Sequence, residues 1–267
     1  KKQKTSMTNK KEEVKGKQEE VLPSTANTLS YQALYQNGLM QVRDDYFSQS
    51  YLLGDVNYQT VSLEDKGAII EKYSDLINSL DDQTNFQLTI FNKRLNLEKF
   101  RQSVLYEEKE DGYDSYRKEL NRMMNQNLDS GENNFSAVKL ISFGRKDTNP
   151  KQAYRSLSQI GEYFKSDFSE IDARFESLAG EDRVNLLADM LRGEHHLPFS
   201  YRDLTKSGQT TRHFIAPNLL DFKNKNYLQI NDRLLQIVYV RDYGMELGDQ
   251  FIRDLMQIGR ASCWERV

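Results

Sequence analysis

The chain has 267 residues, of which 37% are hydrophobic, 29% charged and 11% aromatic, and it carries a net charge of −3. Its 15 Tyr and 13 Phe supply more apolar area than a disordered chain carries, so a folded core is expected. A single Cys excludes a disulfide framework and a cysteine metal site, which fits a reducing compartment.

Residues 1–32 read as a Lys-rich disordered tail and linker. The first 20 hold seven Lys and four Glu without apolar periodicity, and Pro23, Ser24 and Thr25 follow as a break. Two strands are expected next, Ala33–Val42 and Tyr46–Gly54, turning at Arg43, Asp44 and Asp45. Ser62 and Asp65 form a capping-box pattern ahead of a helix whose apolar face is Ile69, Tyr73, Leu76, Ile77 and Leu80. Phe86, Leu88 and Ile90 alternate with polar residues, as a half-buried strand does. Asn96 can cap a short helix running from Phe100 to Val104.

A helix fits Tyr113–Leu128, with Tyr116, Leu120, Met123 and Leu128 on one side. Phe135–Phe143 reads as a strand. Asn149 and Pro150 then open the clearest helix, with Ala153, Leu157, Ile160, Phe164 and Phe168 on its apolar face. Ala173–Leu178 is the expected strand after it, and Glu181–Leu191 a short amphipathic helix stopped by Gly193. Hairpins follow at Leu219–Phe222, Tyr227–Ile230 and Leu234–Val240, with Asn/Lys and Asn/Asp turns. A last helix spans Glu246 to Met256. The expected class is α+β, with mixed or antiparallel sheets and amphipathic helices packed on one face. Two small subdomains are expected, at 33–130 and 131–257.

Residues 258–267, IGRASCWERV, resemble the translation of a sequencing-library adapter. They are read as foreign to the protein, whose natural sequence is expected to continue past about Gln257. Residues 1–20 carry a net +3 and 258–267 a net +1, so the −3 of the whole chain leaves −7 on the body. An acidic body argues against a broad nucleic-acid surface. The longest apolar run, LLQIVYV at 234–240, is closed by Arg233 and Arg241 and is too short for a membrane span. A cytoplasmic protein is expected, free or peripheral at the inner face of the cell membrane.

No catalytic, cofactor-binding or metal-binding residue is assigned from the sequence. A phosphate cradle requires GxxxxGK[ST], and the nearest string, Thr205-Lys206-Ser207-Gly208-Gln209-Thr210-Thr211, has its Lys before the Gly and lacks the other Gly. Glu194, His195 and His196 cluster with Asp189 and His213 in reach along the sequence, but the HExxH spacing that aims two imidazoles one way is absent. A metal-dependent enzyme using His195 and His196 is therefore the least favoured reading. There is no GxSxG elbow, and Cys263 lies in the terminal string. Tyr163, Phe164 and Phe168 stand at helical spacing and read as core, and the acidic pairs Asp81/Asp82 and Glu107/Glu108 as solvated faces.

Three stretches carry a family resemblance. They are YQNGLMQVRDDYFSQSYLLGDVNYQTVSLEDKGAIIEKYSDLINSLDDQTNFQLTIFNKRLN from Tyr35, DGYDSYRKELNRMM from Asp111, and FIAPNLLDFKNKNYLQINDRLLQIVYVRDYGMELGDQFIRDLM from Phe214. In order and spacing they resemble the amino-terminal domain of type IV secretion ATPases of the CagE/TrbE/VirB kind, in the form carried by conjugative elements of Gram-positive bacteria. The resemblance covers Tyr35 to Met256 and rests on extent, since none of the stretches is a catalytic signature. Where relatives often follow the strand near Asp242 with a proline, this chain has Gly244.

The resemblance implies a non-catalytic assembly and docking domain for DNA or protein transfer. Its implied partners are other subunits of the same ATPase, as a homo-oligomer, and inner-membrane components of the conjugation channel. ATP and Mg are expected only in a RecA-like motor beyond this chain. The rival reading is a stand-alone nucleic-acid-binding adaptor of a mobile element, working through the Lys-rich head.

Overall fold

The computed structural model describes residues 24–56, 62–94, 97–129, 135–193, 199–239 and 241–242. Among the described residues the fold is α+β, with antiparallel sheets and no closed barrel. Its main sheet contains β1 (Ala33–Leu34), β2 (Met40–Arg43), β3 (Tyr46–Leu53), β4 (Thr84–Arg94), β5 (Phe135–Lys146) and β6 (Phe175–Ser177), in the order β1-β2-β3-β5-β4 with β6 also paired to β3. The helices are α1 (Leu63–Asn78), α2 (Leu97–Val104), α3 (Asp114–Asp129), α4 (Pro150–Ser169), α5 (Gly180–Arg192), α6 (Tyr201–Ser207) and α7 (Thr211–Ile215). A second sheet holds β7 (Leu220–Asp221), β8 (Leu228–Ile230) and β9 (Arg233–Leu235).

The single strand expected over 33–42 is two strands. Tyr35 to Leu39 turn back on themselves, with Gly38 at φ +87° in the left-handed region that favours glycine. A Cβ at Gly38 would lie 2.0 Å from the Leu178 carbonyl oxygen, so the turn admits no side chain there. The expected boundary at 130/131 also falls inside one structural unit. β5 lies between β3 and β4 and pairs with both, so the two halves share one sheet.

The alternation of β3 decides the layering. Phe47, Gln49, Tyr51 and Leu53 point to one face, where α4 packs with Leu157, Phe164 and Phe168 among the buried aromatics. Asn149 caps that helix by accepting from the Gln152 N–H at 2.9 Å, and Pro150 sits in its first turn. α1 adds Leu76 to the same core, and Ser62 caps it by accepting from the Asp65 N–H at 3.2 Å. Ile77 is exposed, while Tyr73, Leu76 and Leu80 make the contact with the core.

Ser48, Ser50 and Leu52 point the other way. There α5 and α7 bury Val184 and Ile215 with Leu34 and Met40, so helices cover both faces of the sheet rather than one.

Three other expectations differ. α3 forms, but its apolar side faces outward, with Tyr116 74% and Met123 53% exposed. Leu88 and Ile90 lie on the same face as the half-buried Phe86, yet are exposed beyond the reach of α4. The third hairpin strand ends at Leu235, and 236–239 leave the sheet. The Asn96 cap, the helix at 246–256 and the terminal string at 258–267 lie outside the described residues. Among the described residues no helix is long and apolar enough to cross a membrane.

Candidate functional site

The polar string at 205–211 is the junction of two helices. α6 ends at Ser207, Gly208 takes φ +65°, and Thr210 caps α7. The Thr210 N–H donates to His213 Nδ1 at 3.2 Å, and the Thr210 hydroxyl lies 2.9 Å from the same nitrogen. The loop thus spends its polar groups on capping, with His213 in the role that Glu or Gln takes in a capping box.

Glu194, His195 and His196 lie outside the described residues. The two other members of that sequence cluster are separately engaged. Asp189 pairs with Lys93 across α5 and β4, and His213 serves the α7 cap. Among the described residues no group of three His, Cys, Asp or Glu is gathered closely enough to hold a metal ion. Asp81 accepts from Thr84 and lies 3.6 Å from Arg145, while Glu108 pairs with Lys118 at 3.2 Å. Phe164 and Phe168 are core, and Tyr163 points outward.

Two open clefts flank the main sheet. One, of about 410 Å³, lies between the sheet and α5 and is lined by Leu52, Lys93, Val138, Asn185 and Asp189. The other, of about 500 Å³, lies between α4 and the end of β4, beside Arg145, Gln159 and Tyr163.

The charged group that sequence reasoning missed is Arg183. It is buried, and its guanidinium donates to three neutral acceptors: Nη1 to Gly38 O and Ser48 O, each at 2.9 Å, and Nη2 to Ser48 Oγ at 3.0 Å. Burial lowers its pKa to about 10. Its neighbours are phenols and carbonyls, and the arrangement ties the Gly38 turn and β3 to α5. The signal available in sequence was position alone, since Arg183 sits beside Val184 on the face of α5 that Ala188 continues.

Among the described residues, one exposed apolar feature belongs to the second sheet and the chain leaving it. Asn231, at φ +54°, makes the β8–β9 turn, and its Oδ1 accepts from the N–H groups of Asn218 (2.9 Å) and Leu219 (3.1 Å). Ile230 is buried, but Phe222, Leu234 and the run after β9 are not: Ile237 is 79%, Val238 76% and Tyr239 82% exposed. Three adjacent large apolar side chains left in water are a signature of a surface that another surface covers. The chain matches no protein-family model and no curated protein.

Proposed function

We propose that this chain is a non-catalytic assembly and docking domain of a conjugative type IV secretion ATPase. The observation that carries the reading is the exposed run Ile237, Val238 and Tyr239, which follows β9 out of the second sheet. The acidic charge of the body and the ordered resemblance from Tyr35 to Met256 support the same reading. In it, the apolar run meets other subunits of the ATPase or an inner-membrane component of the channel. ATP and Mg belong to a RecA-like motor outside this chain, and the domain works at the cytoplasmic face.

Sequencing the reading frame through its natural locus tests the assignment. An in-frame GxxxxGK[ST] after residue 257 is expected. A natural stop near Met256 with no such motif would sink it.

A further inference from the structure

The two edges of the main sheet are built differently. On one side the outer strands are short: β1 has two residues and β6 three, and the register between β2 and β3 shifts between Gln41 and Arg43. Short strands and bulges are what keep a sheet edge from pairing with another chain. The other edge, β4, has none of these devices. It runs 11 residues in unbroken register with β5, from Thr84 opposite Arg145 to Arg94 opposite Phe135. Among the described residues no strand pairs with its outer side. From Thr84 to Phe91 it contains no charge, no proline and no glycine, and it presents Leu88 and Ile90 at 50% and 37% exposure. Roughly 35 Å of strand with no strand partner on its outer side among the described residues is the kind of template that strand addition uses.

We infer that β4 is an interface with a second copy of this chain, joined by antiparallel β4–β4 pairing about a two-fold axis at Thr89. The sequence is self-complementary in that register. Leu88 falls opposite Ile90 of the second copy, and Ile90 opposite its Leu88. Directly opposed residues in an antiparallel pair share a face, so the four apolar side chains form one cluster. Lys93 falls opposite Asn85, and no charge meets a like charge. A two-fold contact of this kind is the commonest way that identical chains associate. The pairing rests on the sheet alone and is independent of the secretion-motor reading.

Sedimentation equilibrium on the full chain tests it. The wild type is expected at twice the chain mass, and Ile90→Lys and Leu88→Lys each at the mass of one chain. Both side chains are exposed, so the thermal melting midpoint of each variant, taken under dissociating dilution, checks that the fold survives. In a Cys263→Ser background, Thr89→Cys sets the register. Opposed Cα atoms in an antiparallel pair lie about 4.5–5.5 Å apart, within disulfide reach, so mild oxidation should link the two chains. A monomer at every concentration overturns the inference, as does a dimer indifferent to both lysines. A dimer that the introduced thiols do not link also overturns it, and assigns the edge to another occupant or register.

Discussion

The Tyr51 hydroxyl donates a 3.0 Å hydrogen bond to the Leu157 carbonyl, joining the middle of β3 to α4 across 106 residues of sequence. The phenol reaches that carbonyl by lying over Gly161. A Cβ there would stand 2.1 Å from the Tyr51 oxygen and 2.2 Å from Cζ, and the ring is itself held between Phe143 and Phe175. Helix propensity alone would make Gly161→Ala favourable by up to about 1 kcal/mol. Here the substitution should destabilise by roughly 1–3 kcal/mol instead, through overpacking. Urea denaturation reads the sign directly, and a stabilised variant would mean that the helix lies farther from the sheet.

Leu157→Ala removes a fully buried side chain from the same contact, and should lower stability by roughly 2–5 kcal/mol. Ile160 packs at the margin of that core and is only partly buried, so Ile160→Ala should cost less. A loss well under about 1 kcal/mol at Leu157 in a denaturant series would show the packed face to be misassigned.

The legibility of the fold follows from how local each cause is. α4 was readable because its cap, its first-turn proline and its apolar spacing all lie within 20 residues of one another. The outward side of α3 carries the same periodicity, and spacing cannot say whether a partner element exists to meet it. On β3, Ser50 bonds to Ser142 of β5 at 2.7 Å and Ser48 accepts from Arg183 of α5. That pairing joins residues more than 90 positions apart, and no local pattern announces it. The apolar run 234–240 was visible as a string, but its departure from the sheet after Leu235 was not.

Arg183→Ala should cost about 2–5 kcal/mol, because it leaves the Gly38 and Ser48 carbonyls without their donor beneath α5. Arg183→Lys should recover little, since one ammonium cannot reproduce the planar fork that serves Gly38 and Ser48 together. Thermal melts of the two variants, compared with wild type, check this. Full rescue by Lys would show that charge rather than geometry holds the turn.

Stability should fall as pH rises from about 10 toward about 12. Burial pushes the Tyr201 phenol up to about 12 from its ordinary value of 10.0, and raises Tyr31, Tyr51 and Tyr73 as well. In that window the unfolded chain has released these protons while the folded chain retains them, so the unfolded state binds fewer protons and alkali favours it. Arg183 acts with the opposite sign, because its folded pKa lies below its unfolded one, but it is one group against four. Denaturant midpoints measured at about pH 9 and about pH 11 should show the decline, and Tyr51→Phe should flatten it. A midpoint that climbs across this range would mean that the tyrosines are wetter than their burial indicates.

The proposed docking role of the apolar run is tested most directly by the mating frequency of a conjugative element that carries the gene for the chain, with Val238→Asp as the change. Val238 is exposed, so the fold should persist and the protein should accumulate normally. A charge set into a covered apolar contact costs on the order of 2 kcal/mol or more of binding, and transfer should drop by at least about tenfold. Transfer at the wild-type frequency, with the variant present at the wild-type level, would contradict the account.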